Sequence, residues 1–545
     1  YKLSLKFSKE PVKWIVLTNF REIHFMNIFG DNEPFISLDF EKYIANAGDL
    51  WDLLSFESLT KDRITEIYTE RSKEKLGTAF LKDLKYWRLI LINALNVSNP
   101  NSSLEKLKQA SQQLLDRLIF IRLLEAYKVL DTMWLLKSHR NWDAATINQD
   151  IKTFFKQLTE SFNDIWTSYN TELLYKSPLD EMYIPNDALE IIINPEMVST
   201  FTVGKYVNTS YQSEFFNRTL YDYDFTSLNV YVLGTAYEKF LAHKLKQTEN
   251  FIVIDESKEL RHKEGAYYTP TDIVRSIVDN TLKPVLNNIQ RKFEEDIKKE
   301  DYVSAFNNVN KISEIKVLDP ACGSGSFLTY AYGKIVECYR IYNQLCSEKL
   351  NLIHQNNDLA TMGEEIASSG VRVIGHPEDK VLRENIYGVD LDSQAVEVAK
   401  LNLWAELLRK NPQKYRNKEN PPKLPTLVSN IKKGNSLISG DEKTLTDFFG
   451  NNWQEKYPFN WENEFPEIMK KKFDIVIGNP PYDVLKGFKE RPELKAEVDY
   501  YRKLGLYKES ISGNINLYRR FIERVYRYLL KDGGYFSFII PLTLL

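Results

Sequence analysis

The chain has few cysteines and no long apolar run. Its 545 residues include three cysteines, none of them in a Cys-x-x-Cys pair, so neither a disulfide framework nor a zinc site is expected. No uninterrupted apolar stretch approaches the roughly 20 residues that span a bilayer, and the first residues lack the apolar segment of a signal peptide. The sequence therefore predicts a cytoplasmic protein without a membrane partner.

A strong charge of either sign is also lacking. The formal net charge is −3, from 72 basic and 75 acidic residues, so any nucleic-acid surface must be local. One candidate is the basic, tyrosine-containing stretch 486–508, which is either a solvated helix face or a phosphate-contacting loop. A chain of this length predicts two or three domains.

The hydrophobic pattern changes along the chain. Residues 13–28 hold two apolar runs separated by a polar tetrapeptide, which predicts a β-hairpin. Between about residues 38 and 241, apolar residues recur by threes and fours, as in helices. From Ile315 onward short β runs alternate with helical ones, which is typical of a mostly parallel sheet. We predict an α/β, Rossmann-like domain preceded by a helical domain and a short β-containing segment.

The first chemical signal is a strand that ends in a glycine turn and enters a helix, from Val317 to Phe327. Gly323 and Gly325 have no Cβ, so the backbone can approach a bound cofactor closely. Asp319 would repel a pyrophosphate, but it suits the cationic end of S-adenosylmethionine. The alternatives are a purely structural turn or another nucleotide site.

The next strand, from Ile386, ends in an acid. Asp390 is placed to accept hydrogen bonds from two ribose hydroxyls. In a simple Rossmann unit this acid follows the glycines by about 20 residues, so the longer gap here predicts an insertion between about residues 338 and 384. The alternative is that Asp390 is only a helix N-cap.

A third strand, from Phe473, ends in Asn479-Pro480-Pro481-Tyr482. The prolines fix the backbone and remove N–H donors, which leaves the Pro480 carbonyl and the Asn479 amide oxygen as two convergent acceptors for an –NH₂ group. The Tyr482 ring offers a face on which an extruded base can stack. We predict that these four residues are catalytic; the alternative is a turn with a stacked tyrosine.

Together these motifs resemble the amino-methyltransferases of DNA, and their order resembles the γ class, which methylates adenine N6. Gly265 to Pro270 is similar to the family segment at the methionine end of the cofactor, and Asn430 to Leu437 to the segment at its adenine. The family often has Asp where this chain has Asn435. The resemblance implies S-adenosylmethionine as cofactor, bound by Tyr267, Thr269, Pro270, Asp319, Ala321, Gly323, Gly325, Phe327, Asp390, Leu391, Asn435 and Ser436.

Further segments resemble the large type IIG restriction-modification enzymes and related phage-defence methyltransferases of bacteria or archaea. They are Leu233-Gly234 with Tyr237-Glu238, Phe459-Asn460-Trp461 with Phe465-Pro466-Glu467, and Asn516-Leu517-Tyr518. The resemblance implies a nuclease-like β remnant at residues 1–37, a helical connector at 38–232 and a methyltransferase domain at 233–545 that is incomplete at its C-terminal end.

The same resemblance implies the partners. They are double-stranded DNA with a flipped target adenine, and a target-recognition domain after Leu545 or a separate specificity subunit. Mg²⁺ is expected only if a nuclease domain lies outside this segment, because the candidate Glu-x-Lys motif at Glu256 to Lys258 is more simply a solvated turn.

Other functions remain as alternatives. Cytosine-N4 methylation of DNA and methylation of a glutamine amide in a protein both need two acceptors for an –NH₂ group. A nicotinamide-dependent oxidoreductase would use the glycine turn and Asp390 but would leave Asn479 to Tyr482 unexplained. A non-catalytic defence subunit would have no need of an intact Asn479 and Tyr482.

Overall fold

The computed structural model of the protein divides into two compact units. The first comprises Tyr1–Ser168, Leu173–Asp255 and Pro412–Pro421, and the second Tyr169–Glu172, Glu256–Asn411 and Pro422–Leu545. The domain boundaries at residues 37/38 and 232/233 stay predictions. The structure describes residues 14–18, 21–27, 36–39, 47–55, 63–146, 153–175, 177–194, 205–207, 218–226, 228, 233–234, 236–237, 240, 245–255, 269–356, 359–417, 420–485, 493–510 and 515–541.

In the first unit, the predicted hairpin is confirmed. Strands β1 (Trp14–Thr18) and β2 (Glu22–Asn27) pair antiparallel, and β3 (Ile36–Asp39) adds to β2. A second antiparallel pair is formed by β4 (Leu245–Gln247) and β5 (Ile252–Ile254). The Glu256 to Lys258 segment lies outside the described residues.

Helices make up most of the rest of this unit. They are α1 (Ala47–Leu54), α2 (Arg63–Ser98), α3 (Leu104–Ala126), α4 (Trp134–Thr146), α5 (Phe154–Tyr169) and α6 (Asn186–Ile193). Ser103 caps α3 by accepting a hydrogen bond from the Lys106 N–H, which satisfies one of the free donors of the first turn. From Leu114 to Glu125 every residue of α3 is buried, so the helix forms the centre of the unit, and its charged members are paired. One such pair joins Arg122 to Glu125.

The second unit contains the predicted parallel sheet. Its strands are β6 (Val317–Asp319), β7 (Ile386–Asp390), β8 (Ile431–Lys433), β9 (Phe473–Gly478) and β12 (Leu530–Phe538). They lie in the order β12-β9-β6-β7-β8, and every neighbouring pair is parallel. A short antiparallel pair, β10 (Val484–Leu485) with β11 (Ile515–Asn516), lies beyond the end of β9. The Rossmann-like fold class is thus confirmed.

The connections of this sheet are helical. The helices are α7 (Thr271–Lys298), α8 (Tyr302–Asn310), α9 (Ser326–Asn356), α10 (Leu359–Ser369), α11 (Pro377–Glu384), α12 (Ser393–Lys410), α13 (Pro412–Tyr415, in the first unit), α14 (Glu442–Phe449), α15 (Trp461–Glu464), α16 (Pro466–Met469), α17 (Glu493–Lys503) and α18 (Leu517–Arg524). The long α9 together with α10 and α11 lies between β6 and β7. These helices account for the insertion predicted between the glycine turn and Asp390.

The core of this unit packs on the sheet. Phe459, Trp461 and Phe465 are buried against Tyr387 of β7 and Phe473 of β9, with ring centroids 4.8 to 6.2 Å apart. Because parallel strands place their carboxyl ends along one edge, the residues that follow β6, β7, β8 and β9 lie at that edge. Within the described residues, no helix combines the length and apolarity needed to cross a membrane.

Candidate active site

In the glycine turn after β6, the backbone N–H groups of Cys322, Gly323 and Gly325 donate hydrogen bonds to acceptors within the protein. Gly323 and Gly325 have φ angles of 51° and 80°, which side-chain-bearing residues rarely adopt. The N–H of Gly323 donates to Asp390 Oδ2 at 2.8 Å, and that of Gly325 to the Cys322 carbonyl at 2.8 Å. The N–H of Cys322 donates to the Val389 carbonyl at 3.0 Å. The turn is therefore tied to the end of β7.

Backbone N–H groups hold the Asp390 carboxylate. Besides the Gly323 N–H on Oδ2, the N–H of Asp392 donates to Oδ1 at 2.9 Å. Burial, with a smaller contribution from the Asp392 carboxylate, raises the pKa of Asp390 to about 6, against the opposing effect of these hydrogen bonds. The side chain that caps α12 is Asp392, which accepts from Gln394 N–H at 2.8 Å. The alternative reading of Asp390 as a helix cap is therefore wrong.

Asp319 lies against the end of β9. Its side chain is 1% exposed, and Oδ1 accepts the Ala321 N–H at 3.0 Å. A Cβ added to Gly478, the last residue of β9, would lie 2.6 Å from that same Oδ1. Only glycine fits at this position, because the carboxylate occupies the space a side chain would need. The predicted cofactor acid thus lies beside the residue that precedes the predicted catalytic tetrapeptide.

The side-chain amide of Asn479 is held at both of its ends. Its Nδ2 donates to Thr269 Oγ1 at 3.0 Å, and its Oδ1 accepts from the Tyr482 hydroxyl at 2.5 Å. Thr269 is buried, while Asn479 and Tyr482 are half-buried. The structure therefore brings together a residue of the segment before α7 and two residues of the predicted catalytic tetrapeptide.

The Tyr482 ring is supported from α18. The Tyr518 ring meets it edge to face, with centroids 6.2 Å apart and planes at 86°. Just after Tyr482, the Leu517 N–H donates to the Asp483 carbonyl at 2.9 Å, and Val484 pairs with Asn516. These contacts fix the backbone on the far side of the two prolines.

The segment after β8 lies next to the glycine turn. The Asn435 N–H donates to the Tyr457 carbonyl at 2.7 Å, and Asn435 Oδ1 accepts from Leu437 N–H at 3.0 Å. The buried Ser436 hydroxyl donates to the Pro320 carbonyl at 2.6 Å, so it joins this segment to the glycine turn. Leu391 is 51% exposed, an apolar surface next to Asp390.

The other predicted site residues fall into three groups. Ala321 is half-buried in the glycine turn and Phe327 is 3% exposed in the first turn of α9. Pro270 is exposed and immediately precedes α7, and Pro480 and Pro481 follow β9. Tyr267 lies outside the described residues. The role of each toward a cofactor stays a prediction.

Several supporting residues were not predicted. Asn402 of α12 donates to the Ser324 carbonyl at 2.9 Å and so holds the glycine turn from the opposite side. Tyr500, Tyr501 and Tyr507, in the basic stretch 486–508, are buried in one core cluster, so these rings pack inside the protein. The sequence did not indicate that these tyrosines are buried, because they lie in a stretch rich in charged residues.

A family model matches the C-terminal part of the chain. Residues 384–545 match the family described as Eco57I restriction-modification methylase. The resemblance to restriction-modification methyltransferases is therefore confirmed. The matched segment contains β7, β8, β9 and β12 with Asp390, Asn435 and Asn479 to Tyr482.

Individual relatives extend the match. The chain is 26% identical over 480 residues to the type II restriction enzyme and methyltransferase RM.Eco57I of Escherichia coli, covering 88% of this chain and 40% of that protein. It is 25% identical over 292 residues to the adenine-specific methyltransferase PglX of Streptomyces coelicolor, covering 52% of this chain and 19% of that protein. The chain thus spans well under half the length of these relatives.

A solved structure also aligns with the chain. This structure shows the type IIL restriction-modification enzyme MmeI in complex with DNA. The alignment has a TM-score of 0.41 and 14% identity, and it covers 82% of this chain and 48% of MmeI.

Proposed function

We propose that the protein is an S-adenosylmethionine-dependent DNA methyltransferase that methylates adenine N6 within a restriction-modification or phage-defence system. One observation carries the proposal. Asn479-Pro480-Pro481-Tyr482 follows β9 directly, and Gly478 before it touches the buried carboxylate of Asp319. An acceptor pair for an amine and an acid suited to a cationic cofactor therefore share one edge of the sheet.

The groups around the glycine turn fit S-adenosylmethionine better than they fit a dinucleotide. A pyrophosphate site needs free backbone N–H groups at the glycine turn, whereas those of Gly323 and Gly325 are already hydrogen-bonded within the protein. Asp319 suits the amino group at the methionine end, and Asp390 has lone pairs left for ribose hydroxyls. Leu391 and Asn435 offer an apolar face and a polar edge for the adenine. When bound, S-adenosylmethionine supplies an electrophilic methyl group.

The residues of the catalytic turn act on the amine of the substrate. The amine lone pair is delocalised into the base ring, and this conjugation limits its nucleophilicity. Asn479 Oδ1 and the Pro480 carbonyl accept the two amine hydrogens and oppose the conjugation, so the lone pair becomes available. No base strong enough to ionise the neutral amine is needed, since the spare proton leaves after transfer, when the nitrogen is cationic. The Tyr482 ring stacks on the extruded base.

Adenine is the target that the motif order and the relatives favour. The segment before α7 precedes the glycine turn, as in the γ class, and PglX, which the chain resembles, is named an adenine-specific methyltransferase. RM.Eco57I, a restriction enzyme and methyltransferase, supports a role in restriction-modification. Double-stranded DNA as partner, and target recognition by a further domain or a separate subunit, belong to the same proposal, as does Mg²⁺ for any nuclease domain outside this segment.

The test is methyl transfer from labelled cofactor to mixed-sequence duplex DNA, followed by nucleoside analysis. The expected product is N6-methyladenine. Label at N4 of cytosine would replace adenine by cytosine as the target, and label at C5 of cytosine would overturn the amine mechanism. A glutamine-containing protein substrate run in parallel would take the label if the protein-methyltransferase alternative were correct.

A further inference from the structure

The proposed mechanism uses the oxygen of the Asn479 amide and leaves its nitrogen unassigned. In the structure that nitrogen donates to Thr269 Oγ1 at 3.0 Å. Thr269 is 6% exposed and lies far from Asn479 in the sequence. A buried hydrogen bond that joins two distant segments at the catalytic turn calls for a role.

The orientation of the amide decides whether it helps or hinders. An asparagine side chain presents a carbonyl oxygen at one end and an –NH₂ donor at the other. Rotation by a half turn would aim Nδ2 of Asn479 at the substrate amine, so that two donors would face each other. The mechanism therefore requires that Oδ1, and not Nδ2, be directed to the base.

Two hydrogen bonds orient the amide, and one of them lies on the atom that binds the substrate. The Tyr482 hydroxyl donates to Oδ1, the same atom that has to accept the substrate amine. A base that arrives on the Tyr482 ring competes with that hydroxyl for Oδ1 or shares the oxygen with it. The bond from Nδ2 to Thr269 lies at the other end of the amide, so it can persist while the base is bound.

We propose that Thr269 is a positioning residue that orients the Asn479 amide, so that Oδ1 is directed at the target amine. This inference rests on the proposed function and assigns Thr269 a task that acts through Asn479. Removal of the hydroxyl leaves Nδ2 without this acceptor, and the amide then gains from turning its donors toward other partners. The consequence falls on recognition of the amine and on the transfer step.

The experiment compares Thr269→Val with Thr269→Ser. Valine keeps the volume and loses the acceptor, while serine restores a hydroxyl. The matched control is Thr281→Val on α7, because Thr281 is 5% exposed and its hydroxyl donates to the helix carbonyl of Ile277 at 2.8 Å. Far-ultraviolet circular dichroism and thermal melting of all variants verify that each is folded.

Two quantities are measured on a duplex that contains the site methylated by the wild-type protein. The first is the single-turnover rate at saturating cofactor, which removes any effect on cofactor binding from the comparison. The second is the binding preference, with a non-reactive cofactor analogue, for adenine over purine at the target position. Purine lacks the amine, so this preference reports how well Oδ1 is presented, without any catalysis.

For Thr269→Val we expect a rate at least about tenfold below wild type together with loss of the adenine preference. Thr269→Ser should recover both quantities, and Thr281→Val should leave both unchanged. A Thr269→Val protein that keeps the wild-type rate at saturating cofactor and the wild-type preference would overturn the inference. If the wild-type protein transfers no methyl group to any DNA amine, the proposed function itself fails, and that result is seen before any variant is made.

Discussion

At the scale of single residues, the proposed function assigns cofactor binding and action on the amine to different residues. Asp319 and Asp390 are fixed by backbone N–H donors within the glycine turn and its surroundings. Asn479 is fixed by hydroxyl groups. Because the two sets are proposed to act on different molecules, the cofactor and the base, substitutions in one set should affect mainly the function of that set.

Asn479→Ala should abolish turnover while cofactor binding remains. The interaction of Oδ1 with the amine strengthens as the nitrogen becomes tetrahedral, so its loss acts mainly on the transition state. We expect a single-turnover rate lower by about 100-fold or more, on the scale of removing one preorganised polar group. Calorimetric titration with a cofactor analogue provides the control. Near-normal turnover in this variant would contradict the mechanism.

Tyr482→Phe separates the ring from its hydroxyl. The ring face is retained, so base stacking should persist, and the hydroxyl that covers Oδ1 of Asn479 is removed. We expect turnover within a few-fold of wild type, whereas Tyr482→Ala should weaken capture of the base by about 1 to 3 kcal/mol. Binding of duplexes with a mismatched target adenine measures the difference. Equal weakening by both substitutions would show that the hydroxyl, not the ring, holds the base.

Asp390 predicts a pH dependence of cofactor binding. Burial raises its pKa from 3.8 to about 6, so in the unliganded protein the carboxyl is mostly protonated at pH 5 and mostly ionised at pH 7. The ionised form is the one that can accept from two ribose hydroxyls, and affinity should therefore rise by about tenfold between these pH values. Calorimetry with an analogue measures this, and Asp390→Asn should give a weak, nearly flat profile. A fall in affinity over the same range would refute the assigned role.

The same shift has a consequence for stability. Because the folded-state pKa of Asp390 lies above its unfolded value, the protonated carboxyl is favoured by folding. The resulting stabilisation of the folded state is complete at pH values below the pKa of Asp390 in the unfolded chain, and it is lost as the pH rises through about 6. Cofactor binding, which favours the ionised form, acts in the opposite direction.

At the scale of elements, the strand ends were predictable and their mutual contacts were not. The apolar runs before Asp319, Asp390 and Asn479 each stop at a residue with a proposed chemical role. The structure places the three strands side by side in one parallel sheet, with β6 between β9 and β7. That Gly478 exists to admit the Asp319 carboxylate, or that Thr269 bonds Asn479, depends on pairing between distant segments. Spacing along one chain carries no such information.

The gap between the glycine turn and Asp390 was likewise only partly predictable from the sequence. Its length predicted an insertion, because a simple unit needs far fewer residues. Nothing in the pattern showed that α9 itself continues to Asn356 and supplies much of the added length. Nor did the sequence show that Asn402, on the helix after Asp390, reaches back to hold the Ser324 carbonyl.

Gly478→Ala tests the contact between two strands. The new Cβ would lie 2.6 Å from Asp319 Oδ1 and 3.1 Å from its Cγ, so the buried carboxylate would have to move. We expect a loss of about 1 to 3 kcal/mol in the free energy of unfolding, together with weaker binding of the cofactor analogue. Chemical denaturation measures the first quantity and calorimetry the second.

Gly363→Ala is the matched control for this substitution. Gly363 lies on α10, and a Cβ there would meet nothing within 4 Å, so alanine should be neutral or stabilising by up to about 1 kcal/mol. Unchanged stability and unchanged analogue affinity in Gly478→Ala would show that the close contact with Asp319 does not matter in solution.

At the scale of the whole molecule, every predicted site residue within the described chain belongs to the second unit. Ligand binding stabilises the folded form of the part that binds it, by about 2.7 kcal/mol when the ligand is present at 100 times its Kd. Local opening of the backbone there becomes rarer, and amide hydrogen exchange slows. The positions of the slowed amides therefore show which of the two units contains the binding site.

Hydrogen exchange followed by mass spectrometry should show this distribution. With a saturating cofactor analogue, we expect protection in residues 317–328, 386–392 and 431–438, which hold the glycine turn, Asp390 and the segment around Asn435. Peptides from α3, at the centre of the first unit, should exchange as before. Asp319→Ala should remove the protection at equal analogue concentration, because it loses the acid proposed for the amino end of the cofactor. Protection of α3 equal to that of the glycine turn, or protection that survives Asp319→Ala, would place the cofactor elsewhere in the protein.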